Sequence, residues 1–255
     1  MLLAILQART SSTRLPGKVL KPILGHPMLS LQIERMQRSK KIDKLVVATS
    51  SDRSDNNIES LCINIQIPCF RGSLDDVLDR FYQTAIQYKP EHVVRLTGDC
   101  PLIDPEKIDK VINFCVKGDF DYASNCVEPT FPDGLDVEVF KFSVLETAWK
   151  ESLLPSHREH VTSFIHQNNE RFKVGHYKNE VDLSHLRWTV DEPEDFGFVS
   201  QIYKELYPQN PTFITEDILG LINRKPSLLE INSHIERNLG TRKSADADKL
   251  FLKKL

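Results

Sequence analysis

Short apolar runs alternate with amphipathic stretches through the first half of the chain, the pattern of a parallel α/β fold. Residues 2–6 are continuously apolar, which predicts a strand covered on both faces. A polar loop follows through Lys18, and residues 27–39 then take helical spacing with Leu29, Ile33 and Met36 on one face. Residues 45–49 predict a second strand and residues 54–61 a short helix. A third strand is expected over 65–70, at a sheet edge because Pro68 cannot donate to a ladder. Residues 75–88 form an amphipathic helix with Val77, Leu78, Phe81 and Ala85 inward. Residues 92–96 are a fourth strand, and Asp104 opens the next helix. Alternation of this kind implies βαβ units with right-handed crossovers.

Beyond Phe120 the pattern loosens. Strands are expected over 121–124, 135–140, 172–177 and 187–190, and helices over 143–151, 159–167 and 193–207. The fold class is therefore a Rossmann-like α/β sandwich of three layers around a mostly parallel sheet. Residues 1–223 are read as the main domain, and residues 224–255, polar with scattered Leu and Ile, as a C-terminal helical extension or tail. The irregular stretch after the fifth strand is a candidate dimerisation element.

Composition narrows the function classes. A chain of 255 residues buries a sizeable core without disulfides or structural metals. With 33 Lys and Arg against 36 Asp and Glu, the net charge of -3 predicts no broad attraction to nucleic acid or anionic membrane. The cysteines, Cys62, Cys69, Cys100, Cys115 and Cys126, contain no C-x-x-C pair and suit reduced thiols of a cytoplasmic protein. The apolar start lacks a basic leader and reads as a strand, and no apolar run approaches the ~20 residues of a membrane helix.

Residues 7–18 carry the densest chemistry: Gln7, Ala8, Arg9, Thr10, Ser11, Ser12, Thr13, Arg14, Leu15, Pro16, Gly17 and Lys18. A buried strand opens into a loop holding three cations among small hydroxyl residues. Ligands of open parallel sheets bind at the carboxyl ends of strands, where this loop must lie. Small residues let backbone N–H groups approach an anion, and a nucleoside triphosphate would offset repulsion among Arg9, Arg14 and Lys18. The P-loop pattern is excluded because Val19 follows Gly17-Lys18 and Ser12 stands where its first glycine would be. The G-x-G-x-x-G fingerprint is absent. A polar surface loop with incidental arginines is the plain alternative.

The loop resembles the opening motif of the CMP-sugar synthetases, the cytidylyltransferases that activate 3-deoxy-manno-octulosonate and the sialic acids. The chain looks closest to the spore coat polysaccharide biosynthesis protein F (SpsF) family. The likeness continues through Phe70-Arg71-Gly72-Ser73, Asp76-Val77-Leu78-Asp79-Arg80-Phe81 and Leu96-Thr97-Gly98-Asp99-Cys100-Pro101-Leu102-Ile103. It runs on through Asp133-Gly134-Leu135-Asp136-Val137-Glu138 and Thr189-Val190-Asp191-Glu192-Pro193-Glu194-Asp195, spanning about residues 1–205. Enzymes that make UDP- or GDP-sugars typically carry a glycine-rich first loop, which is missing here, so the resemblance favours CTP. It implies a nucleotidyltransferase that moves CMP from CTP onto an acidic sugar, releasing pyrophosphate, for surface polysaccharide biosynthesis, with a homodimer expected. It places Arg9, Arg14, Lys18 and Asp99 at the chemistry and Mg2+ on Asp99 and Asp191. Gln7, Ala8, Ser12, Thr97 and the Arg71-Gly72-Ser73 turn would contact the nucleotide, the turn beside the cytosine.

The residues themselves support part of that assignment. Asp99 follows a hydrophobic strand through Gly98, at the same sheet edge as the first loop. Magnesium takes hard oxygen ligands, commonly one or two protein carboxylates with phosphate and water. Asp191 follows another short apolar run and can return to that edge. Helix capping competes at two positions: Asp104 before Pro105 is read as a cap, whereas Asp191 before Glu192-Pro193 is read as a ligand. Asp119-Phe120-Asp121 spells a D-x-D but precedes a strand, which sends it to the opposite edge as a turn.

Asp133, Asp136 and Glu138 form an acidic cluster suited to sugar hydroxyls or a second metal, with Asp136 and Glu138 on one strand face. A solvent-facing strand edge is the alternative for that pair. Arg158 is a candidate for the sugar carboxylate. Arg80 is either an i,i+4 partner of Asp76 or a ligand group. His157 and His160 read as cap and packed imidazole rather than zinc ligands, and Phe164 and Trp188 as core. Two other functions remain open: a metal-dependent glycosyltransferase, which would need Asp119 and Asp121 at its site, and a non-catalytic nucleotide-binding subunit.

Overall fold

The structure, a computed structural model, describes residues 1–237 and 248–252, so the expected extension over 224–255 lies partly outside the described residues. Its first half follows the alternation of the sequence. The elements are β1 (Leu2–Gln7), α1 (Met28–Met36), β2 (Lys44–Ser50), α2 (Asn56–Asn64), β3 (Cys69–Gly72), α3 (Val77–Ile86), β4 (His92–Thr97) and α4 (Pro105–Lys117). The second half adds β5 (Tyr122–Ser124), β6 (Glu138–Lys141), α5 (Phe142–Glu151), α6 (Pro155–His160), α7 (Ser163–Gln167), β7 (Val174–His176), α8 (Pro193–Leu206) and α9 (Thr215–Arg224).

The strands form one seven-stranded sheet in the order β3-β2-β1-β4-β6-β5-β7. Only β6 is reversed, pairing antiparallel with both β4 and β5. The strand with Pro68 just ahead of it, β3, does lie at an edge. The chain moves outward from β1 through β2 to β3, then crosses back to place β4 on the other side of β1. The loops after β1 and β4 thus diverge at the point where strand order reverses, the crevice where open α/β sheets bind ligands.

Side-chain alternation along the central strands sorts them into two cores. Ala4, Leu6, Val47, Val94 and Leu96 pack under α1, α4, α8 and α9. Leu3, Ile5, Val46, Ala48 and Val93 pack under α3, α5 and α7. Residues 3–6 are wholly buried, which is why β1 reads as an unbroken apolar run rather than an alternating one.

Four local expectations are corrected. Residues 187–190 form no strand: one isolated bridge joins Arg187 to Asp133, and Val190 N–H donates to the Asp99 carbonyl at 2.8 Å. Their apolar character comes from packing, with Trp188 and Val190 completely buried. Residues 135–137 precede the strand, because the Asn125 amide takes the place of a ladder. Its Nδ2 donates to the Leu135 carbonyl at 2.7 Å and its Oδ1 accepts from Val137 N–H at 2.8 Å. The helix expected over 159–167 breaks into α6 and α7 at Val161, whose φ of 63° ends helical geometry. Helix α9 was not anticipated, although Ile218, Leu221 and Ile222 give it an inward face.

Asp104 is the cap the sequence suggests, and it does more than cap. Its carboxylate accepts from Glu106 N–H at 2.8 Å and from the Thr215 N–H and hydroxyl at 2.9 and 2.5 Å, tying the start of α4 to the start of α9. Burial alone would raise its pKa, but the bonds from Thr215 and Glu106 hold it below the usual carboxylate range. Asp104→Ala should cost about 3 kcal/mol at pH 7, combining a lost cap with unpaired buried donors. Because the folded-state pKa is depressed, this contribution is complete above about pH 4 and disappears as pH falls through the lower value. Urea unfolding at pH 7 and pH 2.5 checks both points: the gap between variant and parent should shrink in acid, and an unchanged gap would sink the argument.

Candidate functional site

The loop after β1 is pinned from below. Asp55, fully buried, accepts from Thr10 N–H and the Thr10 hydroxyl at 2.7 Å each and from Ser50 N–H at 3.2 Å. Gly17 closes the loop by donating its N–H to the Thr10 carbonyl at 2.9 Å, with a φ of 68° that side chains other than glycine rarely adopt. Gln7 and Thr97 are directly paired at the ends of β1 and β4. Gly98 N–H then donates to the Gln7 carbonyl at 2.8 Å, so Asp99 emerges beside the loop.

Lys18 is the centre of the arrangement. It is 8% exposed, and its Nζ donates to the Val190 carbonyl at 2.6 Å and Asp191 at 2.9 Å, and reaches Asp99 at 3.5 Å. Burial would lower the ammonium pKa, but Asp99 and Asp191 outweigh it and raise the value. For Asp99 the signs reverse: burial raises the carboxyl, and Lys18 with hydrogen bonds from Thr97 and Cys100 brings it below normal. Both groups are therefore charged near neutral pH.

Further cations and carboxylates extend the cluster. Arg14 lies 2.9 Å from Asp191 and 3.3 Å from Glu192. Every guanidinium nitrogen of Arg187 is engaged, with bonds to Asp133 at 3.0 Å, Asp191 at 3.3 Å, and Asp195 through two nitrogens at 2.9 Å each. Asp195 also accepts from the N–H groups of Asp191 and Glu192 at 3.0 Å, so it serves the start of α8. Asp191 is consequently free of a capping duty and its carboxylate faces Lys18. Asp136 has its carboxyl pushed up to about 7 by burial and by its neighbour Asp133, whose own carboxyl burial also raises.

The donor set fits a divalent cation of the hard-oxygen class. Two carboxylates, Asp99 after β4 and Asp191 just ahead of α8, already converge on one cationic group, the Lys18 ammonium. No group of three or more His, Cys, Asp and Glu with metal-binding geometry occurs among the described residues. A cation held by this pair would take its other ligands from phosphate and water.

Other candidate residues stand apart from this cluster. Arg9 is exposed near Arg80, whose pKa burial and Arg9 lower to about 10. Arg80 donates to the Ser73 carbonyl at 2.6 Å rather than pairing with Asp76. Asp76 instead binds Arg158, which also donates to the Trp149 carbonyl at 2.8 Å, so Arg158 clamps α6 to α3. Arg71 donates to the Ser50 and Asp52 carbonyls at 3.0 and 2.7 Å and to Glu59 at 2.7 Å, bracing the loop after β2. A Cβ on Gly72 would come within 2.9 Å of the Phe70 ring, and Ser73 Oγ accepts from Asp76 N–H at 3.0 Å. Ser12 Oγ accepts from Leu15 N–H at 3.4 Å, and Ala8 N–H donates to Ala48 at 3.2 Å.

Asp136 meets Arg237 at 3.4 Å, whereas other partners engage Glu138. It is buried against Arg95, the Tyr122 hydroxyl at 2.6 Å and the Thr162 hydroxyl at 2.5 Å, and Arg95 in turn donates to Gln7 Oε1 at 3.2 Å. Asp119 and Asp121 both hold Lys141, at 2.8 and 3.1 Å. Lys141 is paired with His92 at the start of β4, so the D-x-D sits at the sheet edge opposite Asp99. His157 bonds to Gln167 at 3.0 Å.

The sequence gives no role to Arg187 or Arg237. Arg187 stands four residues before Asp191 and eight before Asp195, a spacing that becomes informative only once the segment is known not to be a strand. Arg237 lies in a polar stretch with no periodic signal.

A Rossmann-like sheet whose switch point gathers cations and paired carboxylates is the architecture of a nucleotidyltransferase. A family model described as cytidylyltransferase matches residues 3–222, and the chain belongs to that family of CTP-dependent nucleotidyltransferases. The chain is 33% identical to the spore coat polysaccharide biosynthesis protein SpsF of Bacillus subtilis, over 88% of this chain and 95% of that one. It is 35% identical to the 3-deoxy-manno-octulosonate cytidylyltransferase of Geobacter sulfurreducens over 43% of each. The solved structure of a cytidylyltransferase from Leptospira borgpetersenii superposes with a TM-score of 0.87 at 32% identity, covering 92% of this chain and 99% of that one. No helix among the described residues is long and apolar enough to cross a membrane.

Proposed function

We propose that this cytidylyltransferase transfers CMP from CTP to a hydroxyl of an acidic sugar, with magnesium held by Asp99 and Asp191. The observation that carries the reading is the convergence of those carboxylates on Lys18 beside an arginine-bearing loop at the switch point of the sheet. The octulosonate activated by the Geobacter relative supports a sugar acid as acceptor, and the Bacillus relative's name supports use of the product in surface polysaccharide.

In this reaction the acceptor oxygen forms a bond to the α-phosphorus, the bond to the bridging oxygen breaks, and pyrophosphate leaves while the hydroxyl proton passes to solvent. Bound magnesium would supply Lewis-acid stabilisation of phosphate charge. Lys18 and Arg14, already fixed by Asp191, need no rearrangement to present positive charge to the phosphates. Arg9, exposed at the loop rim, adds a further cation for the triphosphate.

Calorimetry with CTP, UTP, GTP and ATP in the presence of magnesium, followed by a pyrophosphate-release assay with 3-deoxy-manno-octulosonate and N-acetylneuraminate, tests the proposal. CTP should bind at least about tenfold more tightly than the others, a difference of ~1.4 kcal/mol, and an acid should trigger pyrophosphate release. CTP binding without release for any acidic sugar would overturn the acceptor class; preference for another nucleotide would overturn the CMP transfer itself.

A further inference from the structure

The cations facing the carboxylate cluster differ in one respect. Lys18 and Arg187 spend their donors on internal acceptors. Arg237 does not. Its Nε lies 3.6 Å from Asp133 and its Nη2 3.4 Å from Asp136, while Nη1 is buried with no hydrogen-bond partner. An unpaired buried guanidinium donor costs free energy unless a ligand arrives to use it.

The arginine is held there by its own segment. Asn232, 2% exposed, donates to the Arg187 carbonyl at 3.0 Å and to Asp195 at 2.9 Å. The chain is thereby fastened to the back of the site five residues before Arg237 enters its front. The family match ends at residue 222, so this arginine lies beyond the matched stretch.

Charge defines the ligand. An acceptor approaching Asp99 from the Asp133 and Asp136 side meets carboxylates, which repel a sugar acid. A guanidinium edge with a free donor offsets that repulsion and can grip a carboxylate in a planar, directional way. We infer that Arg237 is the residue that selects an acidic acceptor, its partly exposed guanidinium, with one donor unpaired, binding the sugar carboxylate on the Asp133 and Asp136 side of Asp99. This inference rests on the acidic-sugar reading above.

The test uses the full chain with saturating CTP and magnesium, and compares 3-deoxy-manno-octulosonate and N-acetylneuraminate with their neutral carboxamides in the pyrophosphate-release assay. In the parent protein the acid should be preferred. Arg237→Ala should raise KM for the acid about 30-fold, the worth of one charge-assisted pair, and largely abolish the preference over the carboxamide. Arg237→Lys should recover part of it. The Kd for CTP and the melting temperature should stay near the parent's, a separation that a merely structural role would not give. A KM for the acid within twofold of the parent in Arg237→Ala overturns the inference while leaving the acidic-sugar reading in place. Turnover of the carboxamides but of neither acid by the parent protein overturns that reading instead, and the anchor with it.

Discussion

Asp99→Asn should lower turnover by about three orders of magnitude or more, in the range seen when a charge-stabilising group of a phosphoryl-transfer site is lost. On the metal-binding role proposed for Asp99, the amide removes a hard anionic ligand, and it leaves Lys18 with one carboxylate, Asp191, in place of two. The fold should survive. Asp99 contributes to local structure mainly through its carbonyl, which accepts from Val190 N–H at 2.8 Å and the Thr189 hydroxyl at 3.2 Å, and asparagine keeps that carbonyl. Steady-state pyrophosphate release, read beside circular dichroism and a thermal melt, separates the two effects. Near-parental turnover in a folded variant would remove Asp99 from the chemistry.

Gly134→Ala should do the opposite and break the frame. Gly134 has a φ of 108°, and a Cβ there would lie 2.5 Å from the Thr189 nitrogen, 2.6 Å from the Trp188 carbonyl carbon and 2.9 Å from the Trp188 oxygen. All three are backbone atoms, so no side chain can swing aside. The strained φ and the overpacking each cost about 1–3 kcal/mol, and together a loss of about 3 kcal/mol or more is expected. For a chain of this size that is a fall in Tm of roughly 6–12 °C. The displaced peptide belongs to the segment that carries Arg187 and Asp191, so activity should fall even where the protein remains folded. Scanning calorimetry decides the matter: a melt within about 2 °C of the parent would show that the two segments can separate without cost.

These two variants divide the site along the line between what is legible in the chain and what is not. Asp99 could be read from the sequence because an acid placed directly after an apolar strand and a glycine has only one sheet edge to occupy. Lys18 was legible for the same reason, since β1 ends in the loop that carries it. The position of the D-x-D at the opposite edge followed from its place before a strand, and Lys141 holds it there. Local chemistry also announced Asp104 as a cap.

Gly134 and Arg187 could not be read this way. Residues 187–190 look like a strand because they are buried, and burial is a property of what packs against them. Likewise the alternation of Asp136 and Glu138 in sequence does not announce their separate partners. A side chain remote in sequence, Asn125, replaces the ladder ahead of β6, and Glu138 turns to Arg95 while Asp136 stays with Asp133 and Arg237. The resemblance at Arg71 and the charge of Arg158 do not reveal that carbonyls and carboxylates of the protein already engage both side chains.

The sequence by itself determined the layered α/β sheet, the place of the cation-bearing loop at the end of β1, and the acid after β4, because each depends on periodicity or on adjacency along the chain. Tertiary structure alone decided that Asp191 turns to Lys18 while Asp195 caps the helix, that Arg187 is consumed by three carboxylates, and that Arg237 arrives from beyond the matched domain with a donor to spare. Those outcomes depend on which hydrogen-bond acceptors are already satisfied, and that is settled only when segments distant in sequence compete for the same buried groups.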